Sequence, residues 1–269
     1  MHLKRWITSI IAVPLLIALI FWASLPVFAA FISIVAAVAL YEYFFIVFRG
    51  DRGRIFSPVA LSGIAAGIAM IMAVAWLPAK SLPFFLFLGL AAAALLSMQA
   101  YKKNPQIMDT VALQLQGLVY VPLCLSMLVM LRAQPQGLAW LFFVLFVVFL
   151  GDVGAFYVGT YKGRHKLNAA ISPGKTIEGA LGGLGANLVV GLIFKLLFIP
   201  ELPVLHTVVL VVLMGLAGQA GDLFESELKR TARIKDSGSI LPGHGGILDR
   251  IDALLFAVPV AYAWKILVL

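Results

Sequence analysis

The chain alternates long apolar runs with short polar connections. Runs of roughly twenty residues, enough to span a bilayer, fall near 6–24, 27–48, 57–77, 82–100, 108–131, 138–159, 177–199, 203–228 and 250–268. This pattern predicts an all-α, polytopic integral membrane protein with about nine transmembrane helices. The Ser24–Pro26 break either joins or divides the first two runs. Lys4 and Arg5 precede the first run, and no small-residue cleavage site follows it, so it reads as a retained helix rather than a removed signal peptide.

The connections set an orientation. With the N-terminus in the cytoplasm, the cytoplasmic segments hold 16 of the 20 Lys and Arg residues, leaving Lys80, Arg132, Lys195 and Lys265 outside. That asymmetry matches the positive-inside rule and supports an odd number of helices. The long polar connections, about 160–176 and 229–249, both face the cytoplasm in this parse, whereas outer connections such as Pro200–Pro203 are short. The chain therefore reads as a single transmembrane domain, 1–269. Residues 1–135 supply helices with a lipid and packing role, and 136–269 carry the polar motifs. Small residues at helical spacing, Gly63 with Gly67 and Gly179 with Gly183, predict close helix–helix packing. No internal repeat points to the symmetric halves of many transporters.

Composition agrees: 62% of residues are hydrophobic, 12% are charged, and the mean hydropathy is +1.05. A soluble chain carries about twice that charge. The net charge of +8 is accounted for by cytoplasmic loops, so no nucleic-acid partner is expected. Cys124, the one cysteine, lies in an apolar run and excludes an intramolecular disulfide.

The chemistry concentrates in residues 226–252, which hold Lys229, Arg230, Arg233, Lys235 and Arg250, with His244, a glycine pair, and the carboxylates Glu227, Asp236, Asp249 and Asp252. Charge this dense beside a membrane reads as functional, and the mixture suggests phosphate handling at the bilayer surface. Asp152, Asp222 and Asp249 place acids on separate helices near the cytoplasmic headgroup level. Asp152 sits about 12 Å of helix below its cytoplasmic end. Asp222, Glu225, Ser226, Lys229 and Arg233 share a helix face, as do Asp249 and Asp252. Oxygen-only ligands suit a hard cation such as Mg²⁺. The alternative is that these acids form buried salt bridges with Lys229, Arg230 or Arg250. His244 reads as a general base, a phosphate donor or a turn-stabilising side chain, in a loop whose glycines let backbone approach a ligand. Intramembrane acids also occur in transporters, but the one-sided charge and the lack of an outward-facing polar site weigh against that class.

Gly174-Lys175-Thr176 invites comparison with a phosphate-binding P-loop. That motif needs a glycine where Ala169 stands and a strand before it, and no strand is expected here. Pro173, Gly174 and Thr176 instead read as a helix entrance, whose free N–H groups favour an anion, with Lys175 adding charge.

Ser226, Lys229, Arg230, Lys235, Asp236, His244, Gly245, Gly246, Asp249, Arg250 and Asp252 fill the fixed positions of a pattern that resembles the signature of phosphatidate cytidylyltransferases, also called CDP-diacylglycerol synthases. Gly151-Asp152 and Ser172–Gly179 are similar to further features of that family, with Gly174 where many members have a second lysine. The resemblance covers about 150–252; the earlier helices match only in hydrophobic character. It implies transfer of a cytidylyl group from CTP to phosphatidic acid, giving CDP-diacylglycerol and pyrophosphate. Catalytic roles fall to Asp222, Asp249, Lys229, Lys235 and His244. Substrate contacts fall to Ser172, Lys175, Thr176, Ser226, Arg230, Asp236, Gly245, Gly246 and Arg250. Mg²⁺ would be held by Asp222 and Asp249, with Asp152 assisting the ion or orienting a lysine. The resemblance further implies a second, monovalent cation, a homodimer, and a cytoplasm-facing site in the inner membrane among membrane lipids. An enzyme acting on an ether-lipid phosphate would carry the same motif.

Overall fold

Helix formation follows the apolar runs, and local polar residues set the boundaries. The computed structural model describes residues 14, 16–238, 240 and 245–269; Lys4, Arg5 and His244 lie outside them. Residues 16–22 are helical, and Ala23-Ser24 separates them from α1 (Leu25–Val47), which carries Pro26 in its first turn. Proline is tolerated there because that N–H has no intrahelical partner, so this break divides the first two runs. A short turn, Arg52–Ile55, precedes α2 (Pro58–Ala73), capped by Ser57, whose Oγ accepts from Ala60 N at 3.2 Å. Next come α3 (Leu82–Ala100) and α4 (Ile107–Arg132), the latter taking a π-turn at Val119–Leu123 around Pro122. The wider turn absorbs the missing donor without ending the helix. The remaining helices are α5 (Gly137–Lys162), α6 (Ile177–Phe198), α7 (Val204–Thr231) and α8 (Leu248–Leu267).

Among the described residues, 6 helices are long and apolar enough to cross a membrane: α1, α3, α4, α5, α6 and α7. The protein is thus a multi-pass membrane protein. The predicted run 57–77 yields a helix of 16 residues, about 24 Å long against a hydrocarbon core of about 30 Å. α8 spans 20 residues but carries Asp249, Arg250, Asp252 and Lys265.

The architecture is all-α with one interruption, where the expectation of no strand before Gly174 is corrected. Lys166–Asn168 (β1) and Ser172–Thr176 (β2) form an antiparallel hairpin, with Lys166 opposite Thr176 and Asn168 opposite Ser172. Pro173 disfavours helix interior, and Asn168 Oδ1 accepts from Ile171 N at 3.3 Å to stabilise the turn. Gly174-Lys175-Thr176 therefore lies within a strand rather than in a loop after one. The helix entrance is Thr176 alone: its backbone is extended, and its Oγ1 caps α6 by accepting from Gly179 N at 3.1 Å.

The chain packs as two compact units. One comprises residues up to Ala133 together with Thr231–Arg250; the other comprises Gln134–Arg230 and Ile251–Leu269. Residues 231–250 thus pack with the first unit rather than with the helices that flank them. Its core joins Phe28, Leu40, Tyr43 and Phe44 of α1 with Met70 and Ile71 of α2 and Leu118 and Leu125 of α4. Close approach needs a glycine: a Cβ at Gly67 would lie 3.1 Å from Pro122 Cβ and 3.3 Å from Leu40 Cδ1.

In the second unit α5 and α6 pack along small residues. A Cβ at Gly179 would lie 2.9 Å from Ala155 O, and one at Gly183 would lie 3.0 Å from Gly151 O. With its amide turned to donate, Asn187 reaches Val147 O at 2.7 Å, which satisfies a buried polar group in an apolar seam. Leu181, Val189, Ile193 and Leu196 of α6 remain exposed, at spacings that place them on one side of the helix.

Candidate functional site

Acidic residues of the second unit converge at the facing ends of α7 and α8. Asp222 and Glu225 lie one turn apart on α7 and so share a face, and Asp252 comes from α8. One carboxylate oxygen from each lies within 4.8 Å of the others. Gly221 makes this possible, because a Cβ there would lie 2.6 Å from Asp252 O and hold the two backbones apart. Glu225 is fully buried. Asp152 on α5 interacts electrostatically with Asp222, and Asp252 with both.

Lysines offset this charge. Lys175 Nζ, brought by β2, lies 2.6 Å from Asp222 Oδ2, and Lys229 pairs with Glu225 one helical turn away. Arg230 Nε donates to Ile171 O at 2.9 Å and so ties α7 to the hairpin. Glu178 secures the hairpin's other side, accepting from Arg164 N at 3.0 Å and His165 N at 3.2 Å while facing His165 Nδ1 at 2.6 Å. Lys175 is therefore delivered to Asp222 by a braced strand.

This donor set fits a hard divalent cation. Its ligand atoms are all carboxylate oxygens, and their separation matches one cation with metal–oxygen bonds of about 2.0–2.6 Å. Buried Glu225 needs a positive partner in any case, since an uncompensated buried charge is strongly unfavourable.

The first unit holds the rest of the polar signature. Asp249 Oδ2 accepts from Ser237 N and Gly246 N, both at 2.9 Å. Gly245 adopts φ +78°, in the left-handed region open to glycine, and a Cβ there would lie 2.7 Å from Asp249 Oδ2. Lys235, Asp236 and Arg250 are exposed beside this network.

The gathered oxygens are thus those of Asp222, Glu225 and Asp252, where the sequence nominated Asp222, Asp249 and Asp152 for metal binding. Asp152 is on the same unit as the cluster, whereas Asp249 organises the segment before α8 in the first unit. Ser226 is buried on α7, Lys175 is paired, Thr176 is a cap, and Ser172 is half-buried in β2. His244 lies outside the described residues. The sequence marks Glu225 by its helical phase, and Asp252 by its phase with Asp249 and its place in the signature, without assigning either to the metal. Glu42 belongs to none of the motifs read from the sequence. Yet Glu42 is an acid inside the apolar run 27–48, which is signal enough, and its side chain is 2% exposed. It accepts hydrogen bonds from Ser237 Oγ, Ile247 N and Leu248 N.

Similarity to known proteins extends over nearly the whole chain. The profile of the cytidylyltransferase family matches residues 3–267. A phosphatidate cytidylyltransferase of Bacillus subtilis (strain 168) is 33% identical over 268 residues, covering 96% of each chain. One from Staphylococcus aureus (strain COL) is 32% identical over 260 residues, covering 95% of each. One from Staphylococcus saprophyticus is 38% identical over 165 residues, covering 61% of this chain and 63% of its own. The match takes in the early helices, which resembled the family only in their apolar character. On this full-length match, the chain belongs to the cytidylyltransferase family.

Proposed function

We propose that this protein is a phosphatidate cytidylyltransferase. A phosphate oxygen of phosphatidic acid attacks the α-phosphorus of CTP; a new P–O bond forms, and the bond from that phosphorus to the oxygen of the leaving pyrophosphate breaks. The product is CDP-diacylglycerol. The observation that carries this reading is the full-length family match, residues 3–267; the acidic cluster flanked by lysines supplies fitting chemistry.

The lipid phosphate is already a nucleophile, so the reaction needs no strong base. Its barrier is the approach of one anion to another. Asp222, Glu225 and Asp252 would hold a divalent cation, for which we propose Mg²⁺; Asp249 remains proposed as a further ligand, as the sequence reads, and Asp152 as assisting the ion or orienting a lysine. When bound, such a cation neutralises developing charge on the triphosphate and its leaving group. Lys175 and Lys229, already beside the acids, offset the remaining phosphate charge, as do Arg230, Lys235 and Arg250. Ser172, Thr176, Ser226, Asp236, Gly245 and Gly246 line or shape the substrate-binding segments, and His244 serves as a donor to phosphate.

The same reading puts the protein in the inner membrane with its site facing the cytoplasm, where CTP is available. The concentration of Lys and Arg in alternate connections supports that orientation. A monovalent cation near the divalent site and a homodimeric state complete the proposal. Purified protein incubated with CTP, Mg²⁺ and dioleoyl phosphatidate should yield CDP-dioleoylglycerol by mass spectrometry. Absence of that product from folded protein, with diacyl and ether phosphatidates alike, would refute it.

A further inference from the structure

Glu42 is a carboxylate placed where a membrane helix ordinarily has a hydrocarbon side chain. It sits about one and a half turns before the end of α1 and is 2% exposed. A buried carboxylate is retained only where hydrogen bonds compensate its desolvation. Here Oε2 accepts from Leu248 N at 2.8 Å and Ser237 Oγ at 3.1 Å, and Oε1 accepts from Ile247 N at 3.1 Å. Ser237 and Ile247 belong to the polar connection between α7 and α8, and Leu248 is the first residue of α8. Ile247 and Leu248 open α8, where N–H groups lack intrahelical acceptors and negative charge is favourable.

The network continues from Glu42 to Asp249. Ser237 Oγ, which donates to Glu42, accepts from Asp249 N at 3.4 Å. Asp249 Oδ2 in turn receives Ser237 N and Gly246 N, each at 2.9 Å. Gly246 is small for the same reason: a Cβ there would lie 2.5 Å from Glu42 Oε2 and 2.6 Å from Oε1. One of the signature glycines thus makes room for this acid.

We propose that Glu42 is a positioning residue for cytidylyl transfer: acting through Ser237 and Asp249, it fixes the backbone of the signature segment at the start of α8. It touches no substrate. Its effect is to hold Gly245, Gly246 and Asp249, and the flanking Lys235 and Arg250, in one arrangement. The kinetic part rests on the function proposed above; the structural part does not. Glutamine is a poor substitute, because its amide keeps one acceptor oxygen and turns an NH₂ towards groups that themselves donate.

The test uses full-length protein in phosphatidate-containing mixed micelles, with Glu42→Gln and Ser237→Ala beside wild type. Amide hydrogen exchange over residues 245–250 and steady-state kinetics in CTP are measured on each. Glu42→Gln should raise exchange at Ile247 and Leu248 by about tenfold or more. Its kcat should fall by about 30-fold or more, with KM for CTP changed far less and the melting temperature within a few degrees. Ser237→Ala leaves both backbone bonds to Glu42, so exchange should rise at Asp249 alone and kcat should fall by roughly 3–10-fold. Wild-type exchange and kcat in Glu42→Gln, or a loss of turnover matched by the unfolded fraction, would overturn the proposal. Should Glu42→Gln fail to fold, unchanged exchange and kcat in Ser237→Ala would overturn it instead. A wild-type protein without transfer activity would sink the proposed function, and the exchange data would still decide the role of Glu42.

Discussion

Removing the ammonium group of Lys229 should expose how much charge the acidic cluster stores. In the structure, Lys229 pairs with Glu225; their side chains are 13% and 0% exposed. The Glu225, Asp222 and Asp252 oxygens lie within 4.8 Å of one another. At that distance, and an effective dielectric of about 20, each like-charged pair repels by about 3.5 kcal/mol. Lys229→Met keeps the length and apolar stem of the side chain but removes the ammonium paired with buried Glu225. Breaking a buried pair in this way costs about 3–5 kcal/mol, which for a chain of this size corresponds to a fall in melting temperature of roughly 10 °C. The assay is thermal unfolding in detergent, first with EDTA and then with Mg²⁺. The variant should be destabilised most in EDTA and should recover more than wild type on adding Mg²⁺, because a bound cation stabilises in proportion to its occupancy. A Lys229→Met protein melting within about 2 °C of wild type in EDTA would show that the cluster carries little unscreened charge. That result would refute the electrostatic reasoning.

Other consequences are smaller or simpler to read. Asp222→Asn and Asp249→Asn should each lower turnover by about 100-fold or more while the protein still inserts and purifies; near-normal turnover of either would remove that residue from the site. Raising Mg²⁺ should not restore turnover to Lys229→Ala even where it restores stability, and full kinetic rescue would mean the lysine only tunes metal affinity. Thr176→Val removes the cap on α6 and should cost about 1 kcal/mol, measured by thermal unfolding; no change would mean Gly179 N finds another acceptor. Leu196→Ala, on the exposed face of α6, should leave unfolding and turnover within error, and a large loss would mean that face packs against protein.

The legibility of this chain followed the range of the interaction. Helices were readable because a bilayer demands long apolar segments with internally satisfied backbones, and the runs from 27–48 onward each correspond to a helix. The hairpin at 166–176 was not, because two short polar strands carry no periodicity above that of a loop, and their pairing depends on Glu178 bracing Arg164 and His165. Asp222 stood out as an acid within an apolar run. Its partners were harder to choose: Asp249 and Asp252 have the same phase on α8, and the choice between their roles rests on three-dimensional packing at Gly221. Glu42 carried the same kind of signal as Asp222. Its role is not legible locally, because its partners are some 200 residues away, 195 to Ser237 and 206 to Leu248, and no local motif surrounds it.

The most direct test of the central claim is the fate of the α-phosphate of CTP. Wild type and Asp222→Asn would be incubated in phosphatidate mixed micelles with α-labelled CTP, with and without Mg²⁺, and the organic phase counted. The account predicts label in lipid from wild type only when Mg²⁺ is present, equimolar with pyrophosphate, and almost none from Asp222→Asn. Label transferred equally without a divalent cation, or equally by the variant, would contradict it.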